Sequence, residues 1–337
     1  MPALAVAEEL RAEGAEVSFI GGERAEAQLV PAHGFELRQL SVEGLSRTDI
    51  RRAARAARLA AAALPRSRSL LCELAPDAVM GGGGYVAGPV GLAAASLRLP
   101  LVLTEADSHL GLTNRLLAPL ARRVCLAFPL QGRDGGRYRV TGRPIPRRRA
   151  DRGEARGRFG LDERDTCVLV FGGSLGSRSI NLAAVDAFAG APFRVLHICG
   201  RRDYEELAGR PLGDGYQLIS YLDLEDFGRA LAASDLAVAR AGGSVFELAA
   251  NGLPAVLVPF PQAAGDHQSS NARWMAEAGA AVVVEDGELT AARLGGEVAA
   301  LLADERRLAA MASASRGLAR PHAAADVAAE LLEAAAR

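Results

Sequence analysis

The sequence of 337 residues contains no lysine, because all 39 of its basic residues are arginines. A phosphate-binding loop of the Walker type requires a lysine, so this class of nucleotide site is excluded. The formal net charge is −1, which gives no indication of a nucleic-acid partner. Arginine stands in for lysine everywhere, so we interpret it as a compositional bias and give individual arginines little functional weight.

Cysteine is also scarce. The four cysteines, Cys72, Cys125, Cys167 and Cys199, are too widely spaced for a zinc site or a disulfide framework, and we expect buried, reduced thiols. No metal ion and no cofactor is expected. The apolar segment 86–103 is interrupted by prolines and an arginine, which excludes a membrane-spanning helix of about 20 residues. A charged-then-apolar leader is not apparent, so export is not expected.

Short β-rich segments alternate with longer alanine- and leucine-rich segments along the chain. This alternation is typical of βαβ units, so the predicted fold class is α/β with parallel sheets. The length suggests about two domains. We predict a first domain over 1–142, a polar and turn-rich linker over 143–165, and a second domain over 166–318. The two halves repeat the order strand, glycine turn, helix and Leu-Pro strand, which predicts two Rossmann-like domains whose sheets face a common cleft.

The beginning of the first domain is unusual. Residues 2–13 have the pattern of an amphipathic helix that ends at Gly14, and the next strand starts near Glu16. A Rossmann-like domain ordinarily starts with a central strand and a glycine turn before its first helix. We therefore expect the first strand and the first glycine loop to be missing, which leaves unpaired backbone groups on both sides of a gap. Such a chain is expected to bind a nucleotide in its second domain but to be nearly inactive.

Three glycine-rich turns follow apolar strands: GGGGYVAGP (81–89), GGSLGS (172–177) and RAGGSVFE (240–247). Glycine lets the backbone approach a ligand closely, and a following helix offers free N–H groups to phosphate. None of the turns matches the G-x-G-x-x-G fingerprint with its acidic residue about 20 positions on, so a dinucleotide is only weakly supported. Three turns in equivalent places predict a phosphate-binding cleft.

Polar residues accompany these turns. Glu247 follows Ser244 by three positions, which is compatible with a helix capping box or with a carboxylate that binds a ribose diol. A polar cluster after the next strand comprises Asp266, His267, Gln268 and Asn271, and its counterpart in the first half comprises Glu105, Asp107 and His109. Open α/β sheets bind ligands at the carboxyl ends of their strands, so both clusters are candidate ligand sites.

The combination of motifs, in this order and spacing, resembles the MurG family of bacterial glycosyltransferases. The motifs are GGGGYVAGP, TEADSHLGLTNRLLAP, VFGGSLGSRSIN, RAGGSVFELAANGLPAVLVPFP and DHQSSNARWMAEAGAA. The resemblance implies a GT-B fold and an inverting, metal-independent transfer of N-acetylglucosamine from UDP-N-acetylglucosamine. The acceptor would be lipid I, undecaprenyl-diphospho-muramoyl-pentapeptide, and the product lipid II of peptidoglycan synthesis. It also implies a peripheral location at the cytoplasmic face of the cell membrane, and a C-terminal helix at about 319–337 that returns to the first domain.

Several site residues follow from the resemblance. Those for the donor are Ser174 at the diphosphate, Leu222 at the uracil, Gly243, Ser244, Val245 and Phe246 in the phosphate-and-ribose turn, Glu247 at the ribose hydroxyls and Gln268 at the sugar hydroxyls. Those for the acceptor diphosphate are Gly83, Gly84 and Tyr85. Independently of the resemblance, the arginine-rich segment 50–68 has the pattern of a basic amphipathic helix that rests on anionic lipid, or of a solvated helix in an arginine-rich chain.

The sequence also departs from the family pattern. The histidine of the family's GGTGGH loop, the usual candidate for the general base, is not in this sequence, so the base is unassigned and Asp107 and His109 are the candidates. Asp107 stands where the family has an asparagine that holds the donor sugar, and Arg147 is a shifted substitute for the arginine of the GNPVR motif. Two alternatives stay open: another UDP-sugar enzyme of the same fold, such as a lipid glycosyltransferase or a 2-epimerase, and a non-catalytic module that binds nucleotide sugars.

Overall fold

The structure is a computed structural model that describes residues 2–23, 25–42, 50–145, 150–173, 175–263 and 266–336. The side chains of residue 25 and of residues 50–57 are not included in the description. The chain divides into two compact units. Unit 1 is Met1–Pro146 together with Arg320–Arg337, and unit 2 is Arg147–Ala319.

Unit 1 alternates helices and strands along the chain. Its helices are α1 (Pro2–Ala12), α2 (Ala25–Ala32), α3 (Ile50–Leu74), α4 (Gly84–Ser96), α5 (Leu112–Leu117) and α14 (Ala323–Ala335). Its strands are β1 (Ser18–Gly21), β2 (Glu36–Gln39), β3 (Val79–Gly81), β4 (Leu101–Glu105), β5 (Arg123–Leu126) and β6 (Tyr138–Val140).

The strands of unit 1 form two parallel sheets. β1 pairs with β2, and the second sheet has the order β3-β4-β5-β6. Among the strands that the structure describes, none joins β1 to β3, so each sheet has an edge at this point.

Both faces of the β3–β6 sheet are covered. Alternate side chains of β4 point to opposite faces, so Leu101 and Leu103 pack beneath α3, α4 and α5 while Val102 packs against α1 and α14. The C-terminal helix is fixed further by Glu330, which accepts hydrogen bonds from Arg123 at 2.8 Å and pairs with Arg139 at 3.0 Å. Burial on both faces explains why the strand sequence is continuously apolar.

Unit 2 contains the remaining elements. Its helices are α6 (Arg152–Arg158), α7 (Arg178–Phe188), α8 (Tyr204–Ala208), α9 (Leu224–Ala233), α10 (Val245–Asn251), α11 (His267–Glu277), α12 (Ala291–Ala303) and α13 (Glu305–Leu318). Its strands are β7 (Cys167–Phe171), β8 (Arg194–Ile198), β9 (Tyr216–Ile219), β10 (Leu236–Ala239), β11 (Ala255–Leu257) and β12 (Ala281–Val283).

The sheet of unit 2 is six-stranded and parallel throughout, with the order β12-β11-β10-β7-β8-β9. The chain starts at β7, runs outward to β9, returns to β10 beside β7 and runs outward again to β12. This is the doubly wound order in which the winding direction reverses between the first and fourth strands. The α/β fold class with parallel sheets is therefore confirmed.

Part of the predicted linker is regular structure. Within 143–165, Asp151 caps α6 by accepting a hydrogen bond from the Glu154 amide at 3.0 Å, and α6 packs on α9. Arg156 in this helix is buried, with 3% of its surface exposed. The polar composition predicted a solvated linker. Several of its arginines are instead bonded to other parts of unit 2.

Three of the four cysteines, Cys125, Cys167 and Cys199, are buried free thiols, as predicted. Cys72 on α3 is also free but is exposed, so the prediction of burial was wrong there. In the ranges that the structure describes, no helix is both long and apolar enough to cross a bilayer.

Candidate active site

The winding of unit 2 reverses between β7 and β10, and a glycine turn follows each of these strands. Phe171 of β7 pairs with Ala239 of β10, so the turns 172–177 and 240–244 begin side by side at the carboxyl edge of the sheet. In doubly wound folds this is where ligands bind. Two of the three glycine turns singled out in the sequence are thereby brought together.

The turn 172–177 packs closely against the end of β8. Gly176 has φ +75°, and a Cβ on it would collide with the carbonyl oxygen of Cys199. A side chain is therefore excluded both by conformation and by space. Leu175 at the tip is 81% exposed, while Ser174 lies outside the described residues.

The turn 240–244 is fixed from behind by α11, because Asn271 Nδ2 donates a 2.9 Å hydrogen bond to Ala241 O. Ser244 Oγ donates to Arg240 O at 3.5 Å and makes no capping bond to α10, so the capping-box interpretation of Ser244 was wrong. The side chains of Val245 and Phe246 are buried in the core. Only the main chain of these two residues is placed to face a ligand.

Glu247 and Gln268 flank this turn. Glu247 is half-buried in the first turn of α10. Gln268 at the start of α11 accepts a 3.0 Å hydrogen bond from the Phe260 amide, and its Nε2 lies 4.0 Å from where a Cβ on Gly242 would be. Leu222 follows β9, the edge strand two places from β7, and is half-buried. The described residues among those expected at the donor thus share one edge of one sheet, with Leu222 at its far end.

In unit 1, the acceptor candidates Gly83, Gly84 and Tyr85 form the turn from β3 into α4. Gly83 and Gly84 have φ +78° and +76°, and Thr113 Oγ1 at the start of α5 donates to Gly84 O at 2.9 Å. The Tyr85 hydroxyl faces Gly22 in the turn after β1, since a Cβ on Gly22 would lie 3.0 Å from it. The turn therefore connects structurally to both sheets of unit 1.

Glu105 organises the neighbouring loop 106–111. Its carboxylate is buried and accepts hydrogen bonds from the amides of Asp107 at 3.2 Å and Gly111 at 2.8 Å, and from Asn114 Nδ2 at 3.0 Å. The same Asn114 amide also donates to Thr104 O at 2.9 Å. Because the carboxylate is satisfied by the loop itself, Glu105 serves to shape the loop rather than to meet a ligand.

Asp107 and His109, the two candidate bases, are half-buried in this loop at the carboxyl end of β4. The loop adjoins the glycine turn, because Asn114 Nδ2 lies 3.6 Å from where a Cβ on Gly83 would be. Arg147 lies outside the described residues. Among the residues that the structure describes, no three His, Cys, Asp or Glu side chains converge in a way that could hold a metal ion.

Sequence reasoning missed Arg240, which is buried and donates a hydrogen bond to Ser177 at the end of the turn 172–177. Arginine was discounted because it is abundant. The usable signal was its position, since Arg240 is the first residue after β10 and opens a predicted phosphate-binding turn.

The fold, the paired glycine turns and two family models together define the class of protein as a family 28 glycosyltransferase. The Glycosyltransferase family 28 N-terminal domain matches residues 1–126 and the family 28 C-terminal domain matches residues 167–331. The chain is 43% identical over 337 residues to the UDP-N-acetylglucosamine–N-acetylmuramyl-(pentapeptide) pyrophosphoryl-undecaprenol N-acetylglucosamine transferase of Rubrobacter xylanophilus, covering 98% of each chain. The chain belongs to the MurG family of glycosyltransferases.

Solved structures agree with this assignment. The crystal structure of Acinetobacter baumannii MurG superposes with a TM-score of 0.77 at 28% identity and covers 98% of this chain and 95% of its own. The UDP-GlcNAc 2-epimerase of Neisseria meningitidis reaches a TM-score of 0.70 at 13% identity, covering 99% of this chain and 98% of its own. At that identity the likeness shows a shared fold and no more.

Proposed function

We propose that this protein transfers N-acetylglucosamine from UDP-N-acetylglucosamine to lipid I and so makes lipid II for peptidoglycan synthesis. The observation that carries the proposal is the 43% identity to a transferase of that name over 98% of both chains. The same identity favours the transferase over the 2-epimerase and over a non-catalytic module.

The donor is assigned to the second domain, residues 166–318. Ser174 binds the diphosphate, the turn Gly243–Phe246 receives phosphate and ribose through its main chain, and Glu247 accepts hydrogen bonds from the ribose hydroxyls. Gln268 reads the sugar hydroxyls and the main chain at Leu222 meets the uracil. The clustering of the described members of this set at one sheet edge supports the assignment.

The acceptor is assigned to the first domain, residues 1–142 with the C-terminal helix. Its diphosphate binds at Gly83, Gly84 and Tyr85, where glycine leaves the main chain accessible. Asp107 stands in place of the asparagine that holds the donor sugar, and Arg147 is a shifted substitute for the arginine of the GNPVR motif. The half-buried loop that carries Asp107 and His109 adjoins the acceptor turn, which supports these two residues as candidates for the base.

The reaction is a single displacement with inversion. The 4-hydroxyl of the muramoyl sugar attacks the anomeric carbon, the hydroxyl proton passes to the base, and the bond to the UDP oxygen breaks with its electron pair staying on UDP. Hydrogen-bond donors at the diphosphate stabilise the charge that grows on the leaving group.

A lipid-anchored acceptor requires contact with the membrane, so we place the protein at the cytoplasmic face as a peripheral protein. The described part of α3 presents Arg58, Arg66 and Arg68 to solvent, but Leu64 packs on the core of unit 1. Exposed apolar side chains lie instead on α5 and the turn after it: Leu112, Leu116 and Leu120 are 43%, 65% and 51% exposed. This leucine face is the surface we assign to the lipid.

Calorimetry with UDP tests the donor site. Replacing Glu247 by alanine removes a ribose contact worth about 1–3 kcal/mol, so the Kd for UDP should rise roughly ten- to a hundredfold. Glu277→Ala, at an exposed position on α11, is the matched control and should leave the Kd unchanged. Equal UDP binding by both variants would show that Glu247 is misassigned.

A transfer assay tests the reaction. Only slow transfer of labelled sugar from UDP-N-acetylglucosamine to a lipid I analogue is expected if the base is missing. Full activity would instead mean that Asp107 or His109 takes the proton, and Asp107→Asn and His109→Gln would then identify the base by a loss of about 100- to 10,000-fold in rate. Conversion of the donor to its 2-epimer, without labelling of the acceptor, would contradict the proposed function.

A further inference from the structure

Arg240 is the most extensively bonded side chain at the carboxyl edge of the unit 2 sheet. Its Nε donates to Ser177 Oγ at 2.9 Å, and its Nη2 donates to Ser179 Oγ at 2.7 Å. Its Nη1 donates to the carbonyl oxygens of Val258 and Pro259, both at 3.1 Å. The guanidinium is thus bonded through all three of its nitrogen atoms.

These partners follow different strands of the same sheet. Ser177 and Ser179 come after β7, Val258 and Pro259 after β11, and Arg240 itself after β10. Asp286, which follows β12, pairs with Nη1 at 2.7 Å and accepts a hydrogen bond from Ser179 Oγ at 2.8 Å. One guanidinium therefore connects the carboxyl ends of four neighbouring strands.

The charge of Arg240 is compensated inside the protein. Its side chain is 10% exposed and that of Asp286 is 25% exposed, so the pair is largely withdrawn from water. The Phe260 ring covers the guanidinium, with its centroid 5.3 Å from Cζ. Since its nitrogen atoms already donate to protein oxygen atoms, Arg240 is not presented to a ligand as a phosphate-binding cation.

We infer that Arg240 is a positioning residue of the donor site, which acts by holding the turn 172–177 in place beside the turn 240–244. The bond to Ser177 anchors the residue at which the first turn passes into α7, and Arg240 itself opens the second turn. The inference rests on the proposed function, because it assumes that these two turns bind the donor diphosphate. Displacement of a binding group by about 1 Å is enough to weaken a site strongly.

A second buried arginine provides the matched control. The Arg156 side chain is 4% exposed and donates to the carbonyl oxygens of Ala233 at 2.8 Å, Asp162 at 2.6 Å and Asp165. These oxygens precede β10 and β7, at the amino edge of the same sheet and therefore on the side away from the glycine turns. Both arginines stabilise unit 2, but only Arg240 touches the segments of the donor site.

The test compares Arg240→Lys with Arg156→Lys in the full chain. Lysine keeps the charge opposite Asp286 but cannot bond to all of the acceptors that the planar guanidinium reaches. We expect both variants to lower Tm. Only Arg240→Lys should raise the Kd for UDP, by roughly ten- to a hundredfold. Hydrogen exchange without nucleotide should be faster at the amides of 175–179 in Arg240→Lys and unchanged there in Arg156→Lys.

The inference is wrong if Arg240→Lys and Arg156→Lys bind UDP with the same Kd. It is also wrong if hydrogen exchange at the amides of 175–179 is unchanged in Arg240→Lys. If the wild-type protein does not bind UDP, the proposed function fails while the exchange result still decides the role of Arg240. If Arg240→Lys does not fold, Ser179→Ala replaces it, because this change removes one acceptor of Nη2 without burying a charge. Its Kd for UDP and its exchange are then interpreted by the same criteria.

Discussion

His197 in β8 is a fully buried titratable group, with 0% of its surface exposed. The Asn181 amide nitrogen donates to Cys199 O and to Asp203, so its oxygen is left to accept from His197 Nε2 at 3.1 Å. His197 Nδ1 then accepts from the Tyr216 hydroxyl at 2.7 Å. Burial lowers the pKa of His197 to about 3, so the ring is neutral in the folded protein.

This lowered pKa predicts a loss of stability in acid. Between the unfolded pKa near 6.5 and the folded pKa near 3, the unfolded chain binds the proton and the folded one does not. The free energy of unfolding therefore falls with decreasing pH, by about 2–3 kcal/mol from this group between pH 7 and 4.5. The free energy of unfolding of wild type and of His197→Gln should be measured with urea at pH 7 and at pH 4.5. The excess stability of wild type over His197→Gln should be smaller at pH 4.5 by that amount. A difference that does not change with pH would mean that His197 is not buried as a neutral ring.

At the scale of single elements, α5 combines a role in the site with an exposed surface. Thr113 bonds to Gly84 O in the turn proposed for the acceptor, while Leu112, Leu116 and Leu120 are exposed at a spacing of four residues. Of the four arginines within 108–133, Arg123 is paired with Glu330, whereas Arg115 is exposed on α5 beside the leucines, where it favours an anionic lipid surface. A lipid bound here would keep its diphosphate close to the glycine turn.

Vesicle flotation tests this leucine face. The double change Leu116→Ser and Leu120→Ser removes apolar area from an exposed site, so it should reduce binding to anionic vesicles by about tenfold without unfolding the protein. Leu224→Ser with Leu332→Ser is the matched control, since these leucines are 39% and 37% exposed on other helices. Loss of binding on neutralising Arg58, Arg66 and Arg68, with no effect of the leucine changes, would instead assign the membrane contact to α3.

At the scale of the whole molecule, the two units have separate hydrophobic cores. The core of unit 2 lies between its six-stranded sheet and helices of the same unit, from Val168 in β7 to Met311 in α13. Among the described residues, three core clusters consist of unit 1 residues, and one of them contains Val327 and Leu331 of α14. Unit 2, with one continuous sheet and its own core, therefore has the means to fold alone.

A fragment that spans Arg147–Ala319 tests this independence. Its sheet contains all six strands and its buried arginines keep their partners, so it should unfold in one cooperative transition and bind UDP with a Kd similar to that of the full chain. Circular dichroism and calorimetry check the two parts of this prediction. An unfolded fragment would show that unit 2 depends on unit 1 for its stability.

Much of the architecture was determined by local sequence. Strands buried on both faces are continuously apolar, and glycine turns mark their carboxyl ends, so the α/β class and the positions of the three turns could be inferred residue by residue. The family motifs depend on the same local spacing. The buried state of Cys125, Cys167 and Cys199 followed in the same way from the strands that contain or precede them.

Only the tertiary structure decided which polar groups meet. Arg240 and Asp286 are 46 positions apart, and nothing in the local sequence distinguishes their pair from the other arginines and carboxylates. Glu105 was expected at a ligand, yet it is satisfied by amides of its own loop. The apolar side of the described part of α3 turned out to pack inward, whereas α5 buries Leu117 and leaves Leu112 and Leu116 exposed. The spacing of apolar residues along the sequence specifies a helix or a strand and its apolar face. The hydrogen-bond partners of a side chain and its exposure depend instead on neighbours that the fold brings from distant parts of the chain.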